Sequence, residues 1–177
     1  MVIGGGNVAI DAARCAVRLG VRKVIVMYRR SENEMPARKD EILYAKEEGI
    51  EFLFMSDAVE FIGNEGKVCK VRYVSTVFSK KDDASGRKSV QRGNKEHYAH
   101  ADLVIVAVGN LPSSIIKESG ANIDFDNKGR IRVDDTGVRT SHRCVYAGGD
   151  AVTGSATVVH AMHAGKKAAS QIHLDLS

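Results

Sequence analysis

Val2 and Ile3 run into Gly4, Gly5, Gly6, Asn7, Val8 and Ala9, a G-x-G-x-x-A arrangement that joins a strand to a helix through one tight turn. No other stretch constrains the fold as strongly. Such a turn needs a glycine at its first position, and a helix starting on top of a strand needs small residues where the two meet. Gly4 serves the turn and Ala9 the close helix–strand packing. Gly6 removes a Cβ at the helix start, where backbone N–H groups and the positive end of the helix dipole gather. That is the arrangement that takes a pyrophosphate. Only three residues precede Gly4, against about five in an ordinary strand, so the chain is expected to be part of a longer protein.

The pattern beyond the turn is that of a doubly wound fold. Residues 6–19 carry Val8, Ala9, Ala12, Ala16 and Leu19 at helical spacing, and Gly20 closes them. Residues 21–28 predict a strand. Its run of Val24, Ile25, Val26 and Met27 suits burial on both faces of a parallel sheet. A second helix is expected over 37–48, closed by Gly49, and a third strand over 50–55. Strands at 58–62, 67–79 and 95–101 follow with no helix between them, which predicts an antiparallel meander over about 56–101. The charged stretch 80–95 reads as its hairpin loop. The parallel sheet resumes at 102–108. Short strands are expected at 131–133 and 144–147, and a last helix over 155–172. The fold class is α/β: a Rossmann-like central parallel sheet flanked by helices, with an antiparallel β-meander insertion.

Composition narrows the function. Of the 177 residues 44% are hydrophobic and 27% charged, enough for a packed core and too apolar for disorder. The net charge of +4 is spread without a basic run. This predicts a solvated surface with one phosphate pocket rather than a nucleic-acid face. Cys15, Cys69 and Cys144 are odd in number, far apart and without a C-x-x-C. They point to a reducing compartment and away from a zinc ribbon, a redox dithiol or a thioredoxin reductase. Cys15, among small residues on the first helix, is expected to be a buried core thiol. With no signal peptide and no apolar run of about 18 residues, the expectation is a cytoplasmic protein with no membrane partner.

The residues after the second strand select the cofactor. An NAD-preferring fold ends that strand on Asp or Glu, which bonds the ribose hydroxyls. Here the strand ends Met27, Tyr28, Arg29, Arg30, without a carboxylate. Two guanidiniums suit a 2′-phosphate, which they grip in bidentate fashion, so NADP(H) is favoured over NAD. Arg38 is either a third charge for that phosphate or a plain surface residue. His160 and His163 share a helix face, but no nearby Asp, Glu or Cys completes a metal set. No G-x-S-x-G, H-E-x-x-H or Walker motif is present. No catalytic acid or base is expected either, because cofactors carry the bond chemistry of hydride transfer.

Two further motifs complete a resemblance. Val145, Tyr146, Ala147, Gly148, Gly149 and Asp150 form a strand, a glycine pair and an aspartate leading to a helix, and Val106, Ala107, Val108 and Gly109 leave another strand on an A-x-G. With the glycine turn continued through Ile10, Asp11, Ala12, Ala13 and Arg14, and with Tyr28, Arg29, Arg30, Ser31 followed by Met35, Pro36, Ala37, the chain resembles the small (beta) subunit family of NADPH-dependent glutamate synthase. That family sits among the FAD/NAD(P)-dependent pyridine nucleotide-disulfide-type oxidoreductases. The resemblance covers essentially the whole chain. It implies an NADPH-binding domain set into an FAD domain, with hydride passing from nicotinamide to flavin. It implies that Gly4, Gly6, Asn7, Val8, Ala9, Arg29, Arg30 and Gly109 line the NADPH site, and that Gly149, Asp150, Thr157 and Val158 face FAD.

By the same resemblance, residues 1–139 form the NAD(P)H-binding domain and 140–177 the C-terminal strand and helix of an FAD-binding domain. The family's N-terminal iron–sulfur region, and the first G-x-G-x-x-G that holds the ADP part of FAD, have no counterpart in this sequence. The isolated chain is therefore expected to bind NADPH without retaining FAD. An electron-accepting subunit or iron–sulfur protein is the expected partner. Residues 145–147 and 156–172 would pack on the missing lobe, which makes a homodimer the expectation for the chain by itself. The alternative reading is a non-catalytic nucleotide-binding or assembly module, or an inactive fragment.

Overall fold

The computed structural model describes residues 1–82, 88–110 and 112–177, with the backbone alone at 80–82. The chain forms two compact units, Met1–Val108 and Gly109–Ser177. The boundary expected at residue 139 falls inside the second.

In the first unit β1 (Val2–Ile3), β2 (Ile25–Met27), β3 (Glu51–Leu53) and β7 (Ile105–Val106) build a parallel sheet in the order β3-β2-β1-β7. Val2 stands opposite Val26 on one side and Ile105 on the other. Helices α1 (Asn7–Arg18) and α2 (Lys39–Glu47) form the crossovers. Strands β4 (Ser56–Asn64), β5 (Lys67–Asp82) and β6 (Lys88–His100) make an antiparallel sheet in chain order.

The apolar run of β2 explains the layering. Successive side chains of a strand point to opposite faces. Val24 and Val26 enter a core with Ala9, Ile10, Ala13, Ile42 and Ala45 of the helices. Met27, fully buried, enters a second core with Val71 and Ala101 of the meander. The parallel sheet is thus covered by helices on one face and by the antiparallel sheet on the other, the α/β class expected.

Both crossover helices stop by the same device. Beyond α1, Gly20 N–H donates to Val17 O and Val21 N–H to Ala16 O, at 2.9 and 3.1 Å. Beyond α2, Gly49 N–H donates to Lys46 O and Ile50 N–H to Ala45 O, both at 3.0 Å. These are Schellman pairs. Across the helices Arg14 pairs with Glu41 and with Glu48, the latter at 2.8 Å. The hydrogen bond from Arg14 holds the Glu48 carboxyl below its ordinary range.

Several expectations are corrected. The buried stripe of α1 is Ala9, Ile10 and Ala13, whereas Val8 and Leu19 face outward. Cys15 lies on the outer face as well and is exposed, not a core thiol. The parallel strands are shorter than expected because only their central residues pair. Most of the expected loop 80–95 is strand: β5 continues to Asp82 and β6 begins at Lys88, while 83–87 lie outside the described residues. Residues 88–95 are polar apart from Val90 and Gly93, so they show no apolar alternation for a sequence reading to detect.

The second unit is loop-rich. Single bridges join Phe125 to Ile131 and Arg139 to Tyr146 where short strands were expected. The helix expected over 155–172 is α5 (Val158–Leu176), preceded by a single turn, α4 (Asp150–Thr153), that ends at Gly154; another single turn, α3 (Ile115–Glu118), comes earlier. Asp175 holds α5 in place, accepting from Arg139, from Tyr146 Oη at 2.5 Å and from Gln171 at 3.0 Å. Asp126 organises the turn after Phe125. It accepts from the N–H groups of Lys128 and Arg130, at 2.8 and 2.9 Å, and from Arg130 Nε at 2.7 Å.

Those bonds, the backbone N–H of Arg130 first, bring the Asp126 carboxyl down to about 2. A carboxyl depressed in the folded state stabilises it fully above the unfolded value, about 3.9, and loses that contribution as pH falls toward the folded value. Thermal midpoints followed by circular dichroism are therefore expected to fall between about pH 4 and pH 2. Asp126→Asn should lower the midpoint at pH 7 and flatten that acid limb.

Candidate functional site

Three consecutive glycines open α1, and the structure gives each a different reason. Gly4 has φ +146°, in the region that disfavours side chains. A Cβ there would lie 2.8 Å from the carbonyl carbon of Ala107, closer still to its oxygen, and 3.3 Å from Ala9 Cβ. Ala9 is fully buried. At Gly5 a Cβ would meet the ring of Tyr28 at 2.5 Å. Gly6 differs: its φ of −90° suits any residue, and a Cβ there would meet nothing within 4 Å. Packing inside the chain demands Gly4 and Gly5 but not Gly6.

Gly6 is also the N-cap of α1, and no side chain caps that end. Its carbonyl accepts from Ala9 and Ile10. No acidic residue occupies the first turn, so the helix end keeps its positive field. Asn7 is exposed, and its Oδ1 accepts from the Arg38 N–H at 3.0 Å. Gly5 O accepts from the Ala37 N–H at 3.1 Å. The segment from Met35 to Arg38 is thus strapped against the turn, with Met35 and Ala37 in the core. Val8, 70% exposed, borders the same helix end.

The two arginines after β2 are not equivalent. Arg29 is exposed, whereas Arg30 is only 4% exposed. Their backbone is fixed from the meander side: Thr76 Oγ1 donates to Arg29 O at 2.7 Å and Met55 N–H to Arg30 O at 3.1 Å. Tyr28, buried against Gly5, donates its hydroxyl to Glu34 O at 2.9 Å and so shapes the loop. Arg38 directs its guanidinium to Asp40, at 3.2 and 2.6 Å.

Gly4, Gly6, Asn7, Val8, Ala9, Arg29, Arg30 and Arg38 all belong to the first unit, and Gly109, Gly149, Asp150, Thr157 and Val158 to the second. In the second unit Gly149 takes φ +65° and ψ −148° as the N-cap of α4. A Cβ on Gly148 would lie 3.1 Å from Ala164 Cβ, so this turn lies close on α5. Asp150 Oδ1 accepts from the Ala156 N–H at 3.3 Å. Thr157 caps α5, bonding the His160 N–H and Nδ1, and Val158 beside it is exposed. Asp150 also borders a pocket of about 350 Å³ with Asn110, Phe125, Ile131 and Ser155. Gly109, next to Asn110, has φ +84°. Among the described residues no group of three or more His, Cys, Asp or Glu could hold a metal ion, and no helix is long and apolar enough to cross a membrane.

The sequence reading missed Tyr28, Met55 and Thr76 as residues that shape the loop. Only Tyr28, adjoining the arginines, carried any signal in the sequence.

A family model described as pyridine nucleotide-disulphide oxidoreductase matches residues 1–165. The glutamate synthase [NADPH] small chain of Escherichia coli (strain K12) is 38% identical in an alignment that covers 97% of this chain and 37% of that protein. The NADP(+)-dependent formate dehydrogenase subunit beta of Moorella thermoacetica is 36% identical over 171 residues, covering 97% of this chain and 24% of that one. The chain therefore spans well under half the length of these relatives. The thioredoxin reductase of T. acidophilum superposes with a TM-score of 0.75 at 27% identity, over 98% of this chain and 51% of that one.

The three glycines make separable demands on stability. Gly4→Ala should cost about 3 kcal/mol or more, because the new Cβ meets backbone that cannot yield. Gly6→Ser should leave the fold as stable or gain a few tenths of a kcal/mol, since serine is the better N-cap. Urea denaturation of the two variants measures both.

Proposed function

Because the chain belongs to the pyridine nucleotide-disulphide oxidoreductase family, we propose that it is the NADPH-binding part of a flavin oxidoreductase of the glutamate synthase small-chain kind. The observation that carries this reading is the contrast within the glycine turn. Gly6 answers no need of the fold, and the uncapped end of α1 that it leaves open is where a pyrophosphate would accept N–H bonds. Asn7 and Val8 would line that docking site, with Ala9 buried behind them. Arg29, exposed beyond β2, would meet the 2′-phosphate, with Arg30 beneath it. The names of two relatives, which specify NADPH and NADP(+), support the same cofactor.

Gly109 stays with the NADPH proposal, and Gly149, Asp150, Thr157 and Val158 extend it to FAD in the complete protein. Their chemistry suits the group: a glycine in a conformation closed to most side chains leads into an exposed aspartate, and a capped helix start follows. Asp150 would bond the ribityl hydroxyls, and the first turn of α5 would face the ring. When bound, FAD supplies the ring that takes hydride from the nicotinamide. We assign residues 1–139 to the nucleotide-binding part and 140–177 to the flavin lobe. We place the protein in the cytoplasm, and we take its partner to be an electron-accepting subunit or iron–sulfur protein. Two of the relatives are themselves named as a small chain and a beta subunit, in keeping with such a partner.

Calorimetric titration with NADPH and NADH tests the reading. NADPH should bind more tightly. Arg29→Ala should weaken NADPH by roughly 10- to 100-fold, the loss of one charge-assisted contact, and leave NADH little changed. Gly6→Ser should abolish binding of both while the fold persists. Failure of the wild-type chain to bind either nucleotide would refute the proposal.

The isolated chain is expected to purify without flavin colour. Val158, Val159 and Met162 on α5 are exposed, so self-association is expected as well. An absorbance spectrum with flavin bands, or a monomer in sedimentation at high concentration, would contradict the corresponding part.

A further inference from the structure

Resting on the NADPH reading, we infer that Lys88, carried by the β5–β6 ribbon, is the third cation of the 2′-phosphate site and sets the preference for NADP over NAD. The ribbon is fixed to the arginine loop from the inside. Thr76, 4% exposed, donates its hydroxyl to Arg29 O and its N–H to Met55 O, both at 2.7 Å, and Met55 N–H donates to Arg30 O. Two residues further along β5 is Phe78. The Lys88 ammonium lies 5.2 Å over the centre of its ring and 3.8 Å from Glu34 Oε1. The other oxygen of Glu34 accepts from Ser31 Oγ. Lys88 therefore reaches the loop that begins with Arg29 and Arg30, from a strand more than fifty residues away in sequence.

Charge explains the arrangement. Glu34 places a carboxylate in this loop that the sequence reading, confined to the strand end, did not count. An unneutralised carboxylate there would favour ribose hydroxyls and repel a 2′-phosphate. Ser31 and Lys88 engage its two oxygens. The Lys88–Glu34 pair is long, and the lysine side chain is 62% exposed, so the pair by itself contributes little. The ammonium can exchange it for a dianionic phosphate, a stronger partner, while remaining over the Phe78 ring. Arg38, the earlier candidate for a third charge, has both guanidinium contacts on Asp40 and brings no net charge.

NADPH and NADH differ only in the 2′-phosphate, so titrating the full chain with each isolates the inference. Lys88→Ala is expected to weaken NADPH roughly tenfold and to change NADH less than about twofold. Lys88→Arg should keep the preference, and Glu34→Gln should keep or sharpen it. Lys88 is exposed, so melting temperatures serve as the control for folding. If Arg29→Ala collapses the ratio of the two affinities and Lys88→Ala does not, the role of Lys88 is overturned and the NADPH reading stands. If neither substitution moves the ratio, both fall.

Discussion

The close seating of α1 on the parallel sheet is the constraint on which the first unit depends. Ala107, beyond β7, passes over Gly4 at a separation that leaves no room for a Cβ, and Ala9 sits fully buried beside it. This contact sets the height of the helix over the sheet. It brings Ile10 and Ala13 into the core and leaves the amino end of α1 at the carboxyl end of the strands. In open α/β sheets that edge is where ligands lie. Fold and site therefore share one origin: backbone packed so tightly that only glycine and alanine are admitted.

The second organising element is the double coverage of β2. Because consecutive residues of the strand serve different cores, the meander shapes the loop after β2 as much as the helices do. Thr76 of β5 shows this directly, since it bonds the backbone of the arginine loop, as does Met55 just before β4. Relatives named for glutamate synthase and formate dehydrogenase match this stretch over nearly all of its length while differing in their own. A unit whose geometry is locked internally can be carried by proteins of quite different extent.

Local signals exposed much of this fold. The glycine turn, the buried run of β2 and the glycines that end both helices were legible because each encodes a backbone requirement with one common solution. The ribbon at residues 88–95 was not, since a strand that is polar apart from Val90 and Gly93 carries no apolar period. Cys15 was misplaced because its neighbours in sequence are small, whereas on the helix it lies roughly opposite the face that carries Ala9, Ile10 and Ala13 into the core. The candidate site was legible in Gly4, Gly6, Arg29 and Arg30. It was not legible in Lys88 or Glu34, whose meeting depends on how β6 returns along β5. The burial of Arg30 beside an exposed Arg29 was equally hidden, since the two adjoin in sequence.

Gly4 and Gly6 stand two residues apart under different rules. The first is held by atoms of the chain itself. The second meets nothing within 4 Å and is released from every internal demand. Drift in a descendant that no longer met its ligand would keep glycine at position 4 and let serine, asparagine or aspartate spread at position 6, where each makes a better helix cap. On the proposed reading the pair works as a tally kept in the genome: one position reports that the architecture survives, and the other that the architecture is still in use.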